Sequence, residues 1–157
     1  MERLDFIETL KHLPDQVAAE TAGLDEAALR ARPGEGEWSI KEIVGHLRDM
    51  AEVWHKRLYM TWTMTDPLFP GFDGEESVRA NSYQDADLAG LIADMRQWRL
   101  RTVELLSHAV DWTRTGQHGA YGRRSLRQWA EFVAEHDAEH LASIRALKAS
   151  QAARQPG

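Results

Sequence analysis

The chain has 157 residues, of which 43% are hydrophobic and 28% charged, a composition typical of one soluble globular domain. Its formal net charge is −6, and an acidic chain without a basic stripe lacks the phosphate contacts that drive nucleic-acid binding, so we expect no nucleic-acid partner. It contains no cysteine, which excludes disulfides, thiolate metal sites and a cysteine nucleophile.

The first residues, MERLDFIETLKHLPD, carry charges where a signal peptide has an apolar core. No apolar run approaches the ~20 residues that span a bilayer. We therefore expect a cytoplasmic protein that does not associate with membranes. We predict a single domain over residues 1–150 and a flexible C-terminal tail over residues 151–157.

Helical spacing dominates the chain, and no alternating strand pattern stands out. The first helix carries Ile7, Leu10 and Val17 on one face, with Pro14 as an expected kink or restart. A short helical stretch, DEAALRA, follows it. The run RPGEGE is expected to be a loop because of its Pro and Gly content.

The second long helix has a strong start signal, because Ser39 and Glu42 form the pattern of a capping box. Its apolar face continues to about Met64, where prolines and glycines break the pattern. A long irregular connection then runs to about Asp87. The connection precedes the third long helix, which begins near Leu88.

The third long helix ends before Gly116, and a glycine-rich loop separates it from the fourth. A second capping box, Ser125 with Gln128, opens the fourth helix. The core-facing stripe of this helix has spacings of three and four throughout and consists of Leu126, Trp129, Val133, His136, His140, Ile144 and Leu147. Four helices of this length predict an all-α fold, a four-helix bundle.

His136 and His140 lie four residues apart in this stripe, so their rings project to one side of the helix, about 40° apart. Both occupy positions where leucine is expected, and burying an unpaired imidazole nitrogen costs about 1–3 kcal/mol. A shared divalent metal ion would use the acceptor nitrogen of each ring. The alternative is a pair of histidines that are partly exposed or hydrogen-bonded to carboxylates.

A third ligand is expected from His46 on the inner face of the second long helix, whereas His55 lies about 180° away and is expected to face solvent. Because His46 is near the start of its helix and His140 near the end of the last one, a shared site requires antiparallel helices. This requirement excludes a simple up-down-up-down bundle. It demands a long crossover between the second and third long helices, and residues 65–86 supply nearly twice the ~12 extended residues needed.

Two segments, WSIKEIVGHLRDM around His46 and GRRSLRQWAEFVAEHDAEHLASI around His136 and His140, resemble the DinB-like family of small metal-binding bundles. The helix lengths and the long crossover resemble it too, so the similarity spans nearly the whole chain. The resemblance implies an up-down-down-up bundle, often a homodimer, with zinc or nickel held by these three histidines. Among such relatives are S-transferases and isomerases that use a low-molecular-weight thiol, and others are described as metal-dependent hydrolases.

Three histidines on a tetrahedral ion leave one position open, which is the pattern of catalytic rather than structural zinc. This favours a divalent-metal-dependent enzyme acting on a small molecule, by thiol-dependent S-transfer or by hydrolysis. A non-catalytic, stress-associated metal-binding dimer and a structural bundle with inert core histidines are the alternatives. Imidazole ligands suit both zinc and nickel, so the metal is not decided.

Carboxylates near the histidines are candidates for supporting roles. Asp49, three residues after His46, is a candidate general base, and Asp137 is a candidate hydrogen-bond partner of a ligand ring. The segment from His136 to His140 also matches H-x-x-E-H, the inverted zinc-protease signature. Proteases with this signature take a third, acidic metal ligand downstream of the motif, and no acidic residue or histidine follows His140, so we reject a protease. We expect Glu139 to face water.

The substrate pocket is expected at the end of the bundle where the second long helix begins. Three segments are expected to meet there: the Pro33–Trp38 loop, the segment Ser77–Asp85 that leads to the third long helix, and the C-terminal tail. Trp38, Trp54 and Tyr83 are the candidate lining residues. The glycine-rich loop that carries His118 and Tyr121 is expected at the opposite end of the bundle.

Overall fold

The computed structural model describes residues 3–154, with side chains from residue 5 onward. The predicted four-helix bundle is confirmed, since four long helices dominate the structure. In chain order the elements are α1 (Arg3–Thr21), α2 (Glu26–Arg30), α3 (Ile40–Thr63), α4 (Gly74–Asn81), a 3₁₀ turn (Tyr83–Asp85), α5 (Leu88–Ser107), β1 (Thr115–His118), β2 (Gly122–Ser125) and α6 (Leu126–Arg154). In this part of the chain no helix is both long and apolar enough to cross a membrane.

Both predicted capping boxes are formed. The backbone N–H of Glu42 donates to Ser39 Oγ, and the N–H of Ser39 donates to the Glu42 carboxylate, each over 3.1 Å. At the start of α6 the Ser125 N–H donates to Gln128 Oε1 over 2.9 Å, and the Gln128 N–H donates to Ser125 Oγ over 3.1 Å. These bonds satisfy amides that a helix leaves unpaired at its start, and so they define where α3 and α6 begin.

Contacts along the helices give their relative directions. Between α3 and α5, Arg48 approaches Asp94 and His55 bonds to Thr102, so the two helices run the same way. Between α3 and α6, His46 contacts His140 whereas Trp54, further along α3, contacts Trp129, nearer the start of α6. The helices α3 and α6 are therefore antiparallel, as a site shared by His46 and His140 requires.

The core consists of two apolar clusters that follow one another along the bundle. One cluster includes Trp54, Leu58 and Trp129, and the other includes Ile43 and Ile144. The three histidines lie at the level between these clusters, with core residues on both sides of them along α3 and α6. Close packing on both sides restricts the rotamers of the histidine rings.

Several segments differ from the sequence-based predictions. The helix α1 continues through Pro14 without a restart, and the connection over residues 65–86 contains α4 and the 3₁₀ turn. Part of the predicted flexible tail, residues 151–154, belongs to α6, and residues 155–157 lie outside the described residues. His55, predicted to face solvent, is half-buried and its Nδ1 lies 3.1 Å from Thr102 Oγ1.

The glycine-rich loop after α5 folds as an antiparallel hairpin, β1 with β2, and no strand was predicted there. Backbone bonds tie it to the crossover, because the Gln117 N–H donates to the Pro67 carbonyl over 2.7 Å and the Phe69 N–H donates to the Gln117 carbonyl over 2.8 Å. The Trp129 indole donates to the Gly116 carbonyl over 3.0 Å. A side chain at Gly116 would collide with Phe69, so only glycine permits this approach. The hairpin is thereby held against the side of the bundle.

Candidate metal centre

Three histidines meet between α3 and α6. One ring nitrogen from each of His46, His136 and His140 lies within 4.8 Å of the others. The Nε2 atoms of His136 and His140 are 3.3 Å apart, and the His46 ring centroid is 4.6 Å from that of His140 and 5.7 Å from that of His136. The i, i+4 spacing on α6 and the antiparallel approach of α3 thus bring the predicted triad together.

The geometry of the triad fits a tetrahedral divalent ion. Two imidazoles bound to zinc at about 2.0–2.1 Å have nitrogens about 3.3–3.4 Å apart, and the His136–His140 pair has that separation. A nitrogen of the third ring lies within 4.8 Å of the other two, so a side-chain rotation would place it on the same ion. Within the described residues, the buried Nδ1 of His46 has no hydrogen-bond partner, so packing rather than a hydrogen bond orients that ring. These residues fit a metal ion.

The electrostatics of the triad favour neutral imidazoles. Burial, reinforced by the neighbouring His140 and His136, lowers the pKa of His46 to about 3. Burial and the nearby His136 likewise lower the pKa of His140 to about 4. A neutral imidazole has a free lone pair, so at neutral pH both rings are in the form that binds metal.

The start of α4 restricts the His46 ring from the side of the crossover. A Cβ atom placed on Gly74 would lie 2.9 Å from His46 Cε1 and 3.1 Å from its Nδ1. The Trp38 ring packs against another side, with centroids 4.8 Å apart. Because these distances are too short for a real Cβ atom, the crossover backbone at Gly74 packs against the His46 ring with no space for a side chain.

Gly74→Ala is expected to displace the His46 ring and to weaken zinc binding by about tenfold, the lower end of the effect of disturbing residues around metal ligands. Competition with a chromogenic chelator would measure the change in zinc affinity. Gly71→Ala is the matched control, since a Cβ atom at Gly71 meets nothing within 4 Å. Equal zinc affinities for the two variants would contradict the proposed fit.

Asp49 does not have the position expected of a general base. Its carboxylate accepts hydrogen bonds from the Tyr83 hydroxyl over 2.5 Å and from Ser77 Oγ over 2.7 Å, and Arg48 lies 3.3 Å away. Burial and the bond to Asp49 raise the pKa of Tyr83, so its phenol stays protonated as a donor. Tyr83, a candidate pocket residue, is buried and lines neither cavity at the histidines. Asp49 and Tyr83 instead attach the crossover to α3.

Gly45→Ala is expected to destabilise the fold by about 1–3 kcal/mol, although alanine is intrinsically the better helix residue. The reason is that a Cβ atom at Gly45 would collide with the Tyr83 ring. Urea unfolding would measure the loss. Adding Tyr83→Ala removes the ring and leaves only the Tyr83 Cβ atom, 2.9 Å from the new methyl group, so in that background Gly45→Ala should cost less; an unchanged cost would contradict the explanation.

Asp137 is likewise not a partner of a ligand ring. It is 1% exposed and forms a two-pronged ion pair with Arg99 of α5, over 2.6 and 2.8 Å. Burial raises its pKa, and the charge and hydrogen bonds of Arg99 oppose that rise. Lying next to His136 on α6, Asp137 points about 100° away from it, into the interface with α5. Glu139 is exposed, as predicted.

Two cavities flank the triad. The larger, about 510 Å³, is bounded by His140, the Pro33–Trp38 loop and the part of α6 over residues 143–147, with Glu37 and Glu75 as its carboxylates. The smaller, about 180 Å³, is bounded by His46 and His136 together with Trp54, Arg57, His118 and Phe132. Of the three aromatic residues predicted as lining, Trp38 therefore faces the larger cavity and Trp54 the smaller one. The triad forms part of the wall of both.

The predicted position of the His118 loop is wrong for the part that carries His118 and Tyr121. The base of the hairpin lies at the far end of the bundle, where Gly116 is next to Thr61, but His118 and Tyr121 line the smaller cavity with His46. The His118 ring stacks on Trp54, with planes 13° apart. Prediction from sequence also missed Arg57, although its spacing of three from Trp54 and four to Thr61 placed it on the inner face of α3.

Comparison with known proteins agrees with this architecture. The solved structure of YfiT from Bacillus subtilis superimposes with a TM-score of 0.90 over 96% of this chain and 88% of YfiT, at 19% identity. YfiT is described as a probable metal-dependent hydrolase with an unusual four-helix bundle topology. At this identity the likeness establishes the fold.

A sequence relative agrees with the same grouping. YuaE from Bacillus subtilis (strain 168), described as uncharacterized, is 24% identical over 143 residues, covering 82% of this chain and 88% of YuaE. The family model of the DinB superfamily matches residues 9–144, including all three histidines. The family expected from the two histidine segments is thus confirmed, and the chain belongs to the DinB superfamily.

Proposed function

We propose that the protein is a divalent-metal-dependent enzyme that acts on a small molecule, with His46, His136 and His140 as the metal ligands. The observation that carries the proposal is the position of the triad, whose ligand atoms lie within 4.8 Å of one another in the wall of two cavities. A structural site would be enclosed by protein ligands, whereas a catalytic site has an open position that a substrate can reach.

The metal, which we propose to be zinc or nickel, would supply a Lewis acid. His46, His136 and His140 would hold it. The neutral rings of His46 and His140 present lone pairs without first losing protons, and the Trp38 ring packs against that of His46. Because Asp49 is engaged by Tyr83 and Ser77, we place proton acceptance on the larger cavity, whose described lining includes Glu37 and Glu75.

Hydrolysis is the reaction we favour, because YfiT, whose fold this chain shares, is described as a probable metal-dependent hydrolase. Thiol-dependent S-transfer is the second candidate, since two cavities at one centre provide room for a substrate and a low-molecular-weight thiol. The two reactions differ in whether a thiol is required for turnover.

Turnover by the zinc- or nickel-loaded protein tests the proposal. 4-Nitrophenyl acetate without thiol reports hydrolysis, and 1-chloro-2,4-dinitrobenzene with cysteine or glutathione reports S-transfer. We expect the activity to disappear after chelation, to return with metal, and to be absent in His136→Ala. Activity that survives both chelation and His136→Ala would contradict a metal-dependent reaction. A loaded protein that turns over neither class of substrate would favour the non-catalytic metal-binding alternative.

We also retain the homodimer as a proposal. Exposed apolar side chains mark association sites when they form a contiguous patch, and the exposed Tyr59 of α3 borders a surface groove together with Trp62 and Leu105. Sedimentation equilibrium would give the mass in solution. A mass of twice 17.9 kDa is expected, and a monomer at all concentrations would contradict it.

A further inference from the structure

Arg57 is a buried cation on the inner face of α3. Its side chain is 6% exposed, lines the smaller cavity and stacks its guanidinium over the Trp54 ring at 4.8 Å. Its Nη2 donates to the Pro70 carbonyl over 3.0 Å, and no carboxylate among the described residues forms an ion pair with it. Burial lowers the pKa of Arg57 with no acidic group opposing the change, but an arginine stays protonated at neutral pH.

A buried charge without a counter-ion is costly, so this one needs a reason. A guanidinium has five N–H donors, and the bond to Pro70 accounts for one of them. The remaining donors can bind a carboxylate in the cavity through two parallel hydrogen bonds. The missing counter-ion of Arg57 is therefore best supplied by a ligand.

His118 provides a second donor in the same cavity. Its Nδ1 accepts hydrogen bonds from the backbone N–H groups of Ala120 and Tyr121, over 2.9 and 3.2 Å. An Nδ1 that accepts has no proton, so the proton of the ring is on Nε2. Burial, aided by the charges of Arg57 and Arg124, lowers the pKa of His118, which keeps the ring in this neutral form.

The charge of the cavity is opposite to that of the whole chain. The protein has a net charge of −6, yet the described lining of this cavity contains no aspartate or glutamate. Arg124 adds a further positive charge nearby, with its guanidinium 5.3 Å from the centre of the Phe132 ring. Aromatic rings form much of the remaining wall, namely Trp54, Phe72, Tyr121 and Phe132. This combination suits an anion with an apolar body.

We propose that the smaller cavity is a carboxylate subsite, in which Arg57 and the Nε2–H of His118 bind a small organic acid. The aromatic wall contacts the apolar part of that acid. Because His46 and His136 line the same cavity, the bound acid lies beside the triad. The subsite identifies small organic acids as the substrate class of the enzyme proposed above, so the role of the subsite in catalysis rests on that proposal. Binding of the acid itself does not require the metal.

Benzoate and its neutral isostere benzamide test the subsite. Isothermal titration calorimetry is performed on the protein as purified and after metal removal, which separates the subsite from carboxylate binding at the metal. We expect both forms to prefer benzoate by about tenfold or more, because a buried charged hydrogen bond has that strength. Inorganic phosphate is titrated as well, and a preference for phosphate over benzoate would overturn the assignment to carboxylates.

Arg57→Gln should remove the preference for benzoate in both forms. Arg101→Gln is the matched control, because this exposed guanidinium also lies 4.8 Å from a tryptophan ring, that of Trp98, and borders neither cavity at the triad. If Arg57→Gln does not fold, His118→Asn decides, since its side-chain oxygen replaces the Nδ1 acceptor and the Nε2–H is lost. His118→Asn should also reduce the preference.

The outcomes for the two proposals are distinguishable. A benzoate preference that appears only with metal and persists in Arg57→Gln would overturn the subsite and leave the metal-dependent enzyme intact. A preference that requires Arg57 in a protein found to bind no metal would support the subsite and overturn the enzyme. Equal binding of benzoate and benzamide by the unaltered protein would overturn the subsite.

Discussion

His140→Ala is expected to abolish stoichiometric zinc or nickel binding. The Nε2 atoms of His136 and His140 are 3.3 Å apart, so removing one ring leaves a single ligand on α6. Loss of an outer-shell partner already costs about 10–100-fold in metal affinity, and loss of a ligand should exceed the upper end of that range. Elemental mass spectrometry of untagged protein, purified without added metal, would measure the bound ions.

Thermal unfolding provides the second readout of the same variant. A metal that binds only the native state at 100 times its Kd stabilises that state by about 2.7 kcal/mol, so zinc should raise the Tm of the parent but not of His140→Ala. His12→Ala is the control, since His12 is an exposed residue of α1 paired with Glu8. A metal-free parent whose Tm does not rise with zinc or nickel would show that the histidines are inert core residues.

Asp137→Ala is expected to destabilise the protein by about 3–5 kcal/mol, because it leaves the Arg99 guanidinium buried without a counter-ion. Both side chains of this pair are 2% exposed, so water cannot replace the lost carboxylate. Globular domains are stable by only about 5–15 kcal/mol, so the loss is a large part of the total. Urea unfolding of metal-depleted protein would measure it without a contribution from bound metal.

Replacing both members of the pair separates the charge effect from the loss of packing. Arg99→Met combined with Asp137→Leu should recover most of the stability, since two apolar side chains of similar volume leave no buried charge. Arg96→Ala is the control at the surface, where the ion pair with Asp15 is exposed and should contribute little. A single variant Asp137→Ala as stable as Arg96→Ala would show that Arg99 finds another partner or water.

The three histidines lie within helices, which fix their backbone positions. His46 lies seven residues after the capped start of α3, and His136 and His140 lie in the middle of a 29-residue helix, so the backbone of each proposed ligand is held by helical hydrogen bonds. The crossover and the hairpin, by contrast, provide the walls. In the proposed enzyme, substrate preference could therefore change through these connections while the arrangement of the three histidines is retained.

Local patterns in the sequence were sufficient to predict the four long helices and the three histidines of the triad. Two capping boxes placed the starts of α3 and α6, since the groups involved are three residues apart and no distant contact is needed. The sequence predicted the same three histidines. His136 and His140 have i, i+4 spacing within an apolar stripe, and His46 lies on the inner face of its helix. These features depend on helical periodicity, which sequence displays directly.

The surroundings of the triad were decided by the tertiary structure. Asp49 and Asp137 are close to the three histidines in sequence, but each bonds to a partner more than 25 residues away, Asp49 to Tyr83 and Asp137 to Arg99. The direction of a helical side chain can be predicted from periodicity, but the partner it meets there depends on which element packs against that face.

The position of the hairpin was also beyond prediction from the sequence. Its strands are four residues each and lack an alternating apolar pattern, and they are stabilised by bonds to the crossover some 50 residues earlier in the chain. Those bonds bring His118 to the cavity that Arg57 lines. The sequence by itself determined the four long helices and which face of its own helix each of the three histidines occupies, because both follow from spacing along a helix. Only the packing of distant segments decided what lines the cavities, because contacts between segments are not encoded in any local pattern.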